Sequence, residues 1–295
     1  MEHLFIINPA AGKGKTLKMI PEIENIMNKF SLPYRIEITK APGHASEIAG
    51  QYIKANDSIR IYSVGGDGTM NEILQPMVGT NASLGVIPAG TGNDFIKSFS
   101  TKQDPVELLP LIVHSDPVPV DVCRLNSRYF LNIASVGFDA DVVAMTGYLK
   151  RLPLIKGKIA YIGGILLAVI GLKKIEADFI IDGTSLHTKT MLLSAFANGR
   201  YYGGGMMPAP NAVPDDGLID ICIINDVNRL KLLRFFPRFI KGTHTDMKEV
   251  SISRCRSIEM KSSKPVHVNM DGELFRFSDV KIEIFEKSLN FIKPL

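Results

Sequence analysis

The sequence predicts two parts. Residues 1–120 form an α/β domain with a parallel sheet, and residues 121–295 an antiparallel β-sandwich or barrel whose extreme C-terminus can pack back on the first part. Three observations carry this. Up to residue 120, short apolar runs alternate with segments of three- and four-residue apolar spacing, as strands alternate with helices. Beyond it, strand-like runs follow one another across Asn, Asp, Gly and Ser turns. Between the two, Pro105, Pro110, Pro117 and Pro119 mark a junction. A 45% hydrophobic share with 22% charged residues excludes wholesale disorder.

Residues 4–7 are a short apolar strand running into Asn8-Pro9-Ala10-Ala11-Gly12-Lys13-Gly14-Lys15. Leu17, Ile20, Ile23, Ile26, Met27 and Phe30 then share a helix face. Strands are expected over 34–38, 59–64 and 84–87, and helices over 44–54 and 70–78. Such alternation implies right-handed crossovers, and ligands then bind at the carboxyl ends of the strands. All three glycine-rich loops fall there: residues 8–15, 65–69 and 88–94. In the second part strands are expected over 120–125, 129–134, 177–181, 190–197, 219–224, 257–261, 266–270 and 280–285. Helices interrupt them at 159–172 and 229–241.

The loop Gly65-Gly66-Asp67-Gly68-Thr69 is the most informative. Glycines at a strand-to-helix turn let the backbone approach a ligand, and the following helix aims free N–H groups at an anion. A tight turn would account for the glycines alone. Asp67 is different, because a carboxylate facing phosphates repels them unless a cation lies between. Mg²⁺, held by one or two carboxylates and phosphate oxygens, is the usual one.

The ending Gly14-Lys15-Thr16 invites a P-loop reading, but the required glycine five positions earlier is Pro9, which has no N–H. That reading is rejected. Asp271-Gly272 fits a hairpin turn, with Glu273 an acid beside it. The proline-fixed run 208–220 carries Asp215 and Asp216, which could hold a hard cation or simply form a solvated turn.

A net charge of +4 is too small to imply nucleic-acid binding. Lys150, Arg151, Lys156, Lys158, Lys173 and Lys174 bracket one apolar segment, while Arg229, Lys231, Arg234, Arg238 and Lys241 share another. Both suit an anionic membrane surface as well as a solvated face. Neither apolar segment reaches the ~20 residues needed to span a bilayer. Cys123, Cys222 and Cys255 lack metal or disulfide spacing, and the start Met1-Glu2-His3-Leu4 lacks a basic leader, so a cytoplasmic protein is expected. Strand edges in the second domain could pair into a homodimer.

Taken in order, Asn8-Pro9, the Asp67 loop, residues 88–95, residues 208–220 and Asp271-Gly272-Glu273 resemble the diacylglycerol kinase catalytic family, closest to its bacterial soluble lipid kinases. The resemblance spans nearly the whole chain and implies ATP- and Mg²⁺-dependent phosphoryl transfer onto a lipid hydroxyl at the inner face of the membrane, most simply diacylglycerol to phosphatidic acid. It implies a nucleotide site at Asn8, Pro9, Ala10, Ala11, Gly12, Thr39, Gly66, Asp67, Gly68, Thr69, Met70, Asn71, Glu72 and Thr91. Asp67 would act on the catalytic Mg²⁺, and Glu273 would take the hydroxyl proton. Asp216, with the carbonyls of Val213 and Leu218, would hold a structural Mg²⁺, linked to the active site through Asp215 or Asp216. NAD kinases share the Asp67 loop and a similar two-domain plan, but there the Asn-Glu pair lies farther from the loop than Asn71-Glu72 does here. A small-molecule kinase of that kind and a catalytically silent nucleotide-binding regulator are the alternatives. Sphingoid bases, monoacylglycerol, phosphatidylglycerol and polyprenols remain open as acceptors.

Overall fold

The computed structural model describes residues 2–90, 92–152, 158–225 and 227–294. Its first part is a parallel sheet of β1 (His3–Ile7), β2 (Tyr34–Ile38), β3 (Arg60–Gly65) and β4 (Ser83–Pro88), in the order β4-β3-β1-β2. The alternation of each strand sends its side chains to two faces. Leu4, Ile6, Ile61 and Val86 pack against α2 (His44–Ala55) and α3 (Asp67–Met77). Phe5, Ile7, Tyr62 and Ile87 meet α1 (Ile20–Lys29) and α4 (Pro105–His114) on the other side. Strands buried on both faces explain why this sheet reads as continuous apolar runs.

Helix α4 corrects the expected junction. Asp104 caps it by accepting from the Val106 and Glu107 amides, Pro105 occupies the first turn, and Leu108, Leu109, Ile112 and Val113 are buried. Proline is preorganised for that first turn, so Pro105 announces a helix start, while Pro110 lies inside the helix and Pro117 and Pro119 lie on the next strand. The next strand, β5 (Pro117–Leu125), runs across the expected boundary at residue 120.

The second part continues with β6 (Arg128–Phe130), β7 (Ile133–Gly137), α5 (Phe138–Lys150), α6 (Lys158–Ile170), β8 (Ile175–Ile181), β9 (Thr184–Ala197) and β10 (Ile219–Asn225). It ends with α7 (Arg229–Ile240), β11 (Val250–Cys255), β12 (Ser257–Met270) and β13 (Glu273–Ile292). Strands β7, β9, β8 and β12 pair in a closed antiparallel ring around Val136, Phe179, Phe196, Met260 and Val268. Helices α5, α6 and α7 cover the outer face of β9 and β10, burying Phe138, Val142, Ala168, Phe235 and Phe239. The runs expected at 257–261 and 266–270 are one strand, β12, with a register irregularity between Lys261 and Val266. Helix α5 and strand β11 were not foreseen.

Strand β13 joins the parts. It pairs antiparallel with β12 and β5, and its end pairs parallel with β4 through Asn290 and Phe291. Among the described residues the thirteen strands form one continuous sheet.

Candidate active site

The loops leaving β1, β3 and β4 interlock at one sheet edge. Asn8 donates its amide to Val64 O (3.1 Å) and its Nδ2 to Thr69 Oγ1 (2.9 Å), while its own carbonyl accepts from Thr16 Oγ1 (2.8 Å). Its Oδ1 accepts from the Ala10 amide (3.0 Å), turning the chain after Pro9. Ala11 begins a 3-10 turn in which Gly12, Lys13 and Gly14 all have positive φ. A Cβ on Gly12 would sit 2.1 Å from Ala89 O, and one on Gly90 would sit 2.3 Å from Gly66 Cα. The three loops are therefore packed backbone to backbone, a closeness only glycine permits.

Of the expected nucleotide residues, Asn8, Gly12, Gly66, Gly68 and Thr69 meet at this edge. Thr39, just past β2, hangs from it by its amide to Ile7 O (2.9 Å). Met70 does not face the site; it is buried in the core behind α3. Asn71 is buried beneath the cleft, its Nδ2 donating to Tyr129 O and to Oδ2 of Asp271 (both 3.2 Å). Glu72 accepts from the Ala45 amide at the start of α2 (3.2 Å). Thr91, and the basic residue Lys156, lie outside the described residues.

Asp67 opens α3. Its Oδ2 accepts from the Asn93 amide (2.8 Å) and its Oδ1 from the Asp94 amide (2.9 Å). Burial and then the charge of Asp94 push its pKa up, against those two hydrogen bonds and Lys97. Asp94 is itself buried, bound to Lys97 Nζ (2.5 Å) and to the Gly204 amide (2.8 Å).

Asp67, Asp94 and Asp271 line one cleft of about 780 Å³ between the parts, with Lys13 and Lys150 at its walls. Among the described residues no three Asp, Glu, His or Cys side chains converge as a ready metal cage. A Mg²⁺ shared between one carboxylate and phosphate oxygens would fit the site: half-buried Asp67 at the start of α3 and buried Asp94 repel each other and would gain from a cation.

Asp271 and Gly272 form the two-residue turn between β12 and β13, both with positive φ. The Asp271 carboxylate also accepts from the amides of Leu131 (2.9 Å), Asn132 (3.2 Å) and Ile133 (3.0 Å), as well as from Asn71. Burial nevertheless raises its pKa to about 6. Glu273, one residue on, is half-buried and paired with Arg128 at 3.0 Å. Burial raises its pKa, Arg128 opposes the rise and Glu72 adds to it.

The loop holding Val213, Asp216 and Leu218 lies apart from the lining of this cleft. Asp216 Oδ1 accepts from the Leu218 amide (3.1 Å) and Oδ2 faces Arg254 (3.4 Å), which also binds Asp220 (3.0 Å). Asp121 accepts from the Gly217 and Lys287 amides (both 2.7 Å). Arg254 faces Asp216 where the expected structural Mg²⁺ would sit and offsets part of the same negative charge. Asp121, and not Asp215, is the buried acid joining this loop to β5 and β13. The signal for it is an acid inside the apolar run Val120-Asp121-Val122.

From the cleft a narrow apolar arm of about 50 Å³ runs under α5, α6 and α7, lined by Val142, Ile165, Leu192, Phe235 and Phe239.

Comparison with known proteins bears on this geometry. The model of the diacylglycerol kinase catalytic domain matches residues 2–125, and that of the YegS C-terminal NAD kinase beta sandwich-like domain matches residues 132–293. A diacylglycerol kinase of Mycobacterium tuberculosis is 30% identical over 98% of this chain and 94% of its own. One of Staphylococcus saprophyticus is 27% identical over 91% of this chain and 87% of its own. A crystal structure of a diacylglycerol kinase from Bacillus anthracis superposes with a TM-score of 0.71 at 21% identity, covering 99% of this chain and 96% of that one. The NAD kinase of Archaeoglobus fulgidus, solved with ATP, shares the fold at a TM-score of 0.54 and 17% identity, covering 100% and 94%. The fold is thus shared with diacylglycerol kinases and with an NAD kinase. The chain belongs to the diacylglycerol kinase family of lipid kinases.

Proposed function

We propose that this protein transfers the γ-phosphoryl group of ATP to the free hydroxyl of a lipid, with diacylglycerol, the acceptor in its relatives' names, as the reference substrate. The reading rests chiefly on Asp67, a half-buried acid at the start of α3, set among interlocked glycine loops and opening onto a cleft with an apolar arm. The loops between residues 8 and 15 and between 65 and 69 cradle the phosphates by backbone N–H groups, with Lys13 at the cleft wall. Asp67 would hold a Mg²⁺ on the protein side, and that ion would supply charge neutralisation for the transferring phosphoryl group.

The lipid hydroxyl oxygen attacks the γ-phosphorus in line, the bond to the ADP oxygen breaks, and the hydroxyl proton passes to Glu273. Asp271 lies in the cleft but is the poorer base, because both its oxygens already accept N–H bonds. Glu273 is free to act once its pair with Arg128 opens. The apolar arm takes the acyl portion, and the outer face of α6 rests on the inner leaflet of the membrane. No described helix is long and apolar enough to cross it.

The experiment uses labelled ATP, Mg²⁺ and a panel of lipids in mixed micelles, with NAD as an additional acceptor. Labelled lipid phosphate is expected from the wild type and none from Asp67→Ala. Labelled NADP without labelled lipid, or ATP binding with no turnover, would overturn the assignment.

A further inference from the structure

Glu273 and Phe275 are two residues apart on β13 and therefore share one face of it. Arg128, the first residue of β6, reaches over both. Its guanidinium stands above the Phe275 ring, 5.3 Å from the centroid, and its Nη2 meets Glu273 Oε2 at 3.0 Å. The backbone that carries it is clamped to α3. Gln75 Oε1 accepts from the Tyr129 amide (3.1 Å), and the Tyr129 carbonyl accepts from Gln75 Nε2 (2.9 Å) and Asn71 Nδ2 (3.2 Å). Asn71 and Gln75 follow Asp67 by about one and two helical turns. One helix thus opens with the acid assigned to Mg²⁺ and braces the strand whose arginine holds the base. Gly272, next to Glu273, lines the cleft.

A guanidinium stacked on a ring and tied down at its backbone keeps its place whether or not its carboxylate partner stays. The pair itself is part-exposed, 40% on the arginine and 32% on the glutamate, so it opens readily when a hydroxyl donor replaces the arginine. The proposal rests on the lipid-kinase reading and adds a residue to it. We propose that Arg128 is a positioning residue: fixed by Phe275 and by the clamp to α3, it holds the Glu273 carboxylate as an anion at the edge of the cleft until the acceptor hydroxyl takes its place. Among the described residues the charged groups acting on Glu273 are Arg128 from β6 and Glu72 from α3. Arg128 favours the carboxylate, while burial and Glu72 favour the neutral acid. Without Arg128 only the last two remain, and the base is protonated up to a higher pH.

The test follows kcat/KM against pH, with the lipid that the wild type phosphorylates best, in Arg128→Met, Arg128→Lys, Gln75→Leu and the double variant Arg128→Met with Glu273→Gln. A neighbouring positive charge lowers a carboxylate by ~1–3 pKa units, and partial exposure keeps this pair at the low end. Arg128→Met should therefore move the acid limb up by about one pH unit, a loss of about tenfold on the acid side. Arg128→Lys, which keeps the charge, should recover most of that shift. Gln75→Leu, which frees β6 from α3, should move the limb the same way by less. In the Glu273→Gln background Arg128→Met should add no further loss, because the arginine acts only through the glutamate. An unmoved limb in Arg128→Met, an equal shift in Arg128→Lys, or a further loss in the double variant would each overturn the proposal. A raised KM for ATP with the limb in place would make Arg128 a phosphate ligand instead and overturn it too. Should Arg128→Met fail to fold, the presence or absence of a shift in Gln75→Leu decides. Absence of wild-type turnover on every lipid would instead remove the kinase reading beneath it.

Discussion

Asp271 and Glu273 are two residues apart and do different work. The first spends its carboxylate on amides that lie 138 to 140 positions upstream. Its turn geometry is legible in Asp-Gly, but those partners are not, because local sequence carries no trace of a contact made only by tertiary folding. Asp121 escapes for the same reason, reading as an isolated acid in an apolar run. Asp67 is legible because its glycine neighbours fix its surroundings within a few residues. Glu273 keeps one interaction, with Arg128, and burial holds its pKa above the ordinary value. A base works only when deprotonated, so kcat should rise with pH through a limb whose midpoint lies above 4.5. Glu273→Gln should lower kcat by ~10²–10⁴-fold and abolish that limb while ATP still binds. A folded Glu273→Gln protein with near-normal kcat would take this residue out of the mechanism.

Elements of the first part follow closely from apolar spacing, since its strands are buried on both faces and its helices on one. The second part is harder. Pro265 and the irregularity between Lys261 and Val266 break β12 into two apparent strands, although the pairing continues across them. Helix α5 shows no clean apolar stripe because it touches α6, the cleft and β12 at once. Helix α6 divides its faces. Tyr161 and Ile165 line the arm, and a Cβ on Gly164 would meet Thr146 Oγ1 of α5 at 2.2 Å. On the opposite side Ile159, Ile162, Leu166 and Ile170 are 68%, 58%, 57% and 68% exposed, at three- and four-residue spacing. Lys150 and Arg151 precede this face, and Lys173 and Lys174 follow it. Burying each such side chain is worth ~1.5–3 kcal/mol, so Ile162→Asp with Leu166→Asp should weaken vesicle binding more than tenfold. Co-sedimentation with vesicles of rising anionic-lipid content reads this out. Binding that ignores both the substitutions and the anionic lipid would rule out α6 as the docking face.

Across the whole molecule, neither the cores nor the backbone divide at residue 120: Val122, Leu131, Leu289 and Phe291 pack into the core of the first part. Strand β13 belongs to the second part for most of its length and to the first at its end. Phe291 is buried there against Phe95 and Phe99, with ring centroids 5.1 and 4.9 Å away. Removing that ring should cost ~3–5 kcal/mol. Because the same strand serves both cores, Phe291→Ala should lower one shared melting transition. Calorimetry that resolved two transitions, with only one displaced, would contradict a single cooperative unit.

The order of synthesis gives this brace a further meaning. Strand β4 leaves the ribosome long before residues 290 and 291, yet they are its partners on the side away from β3. Until they arrive, the nascent nucleotide half carries an uncapped ribbon of amides and carbonyls, the kind of border that invites aggregation. A chain cut before residue 290 is expected to leave that border bare and to aggregate, which a sedimentation assay of the shortened chain would read.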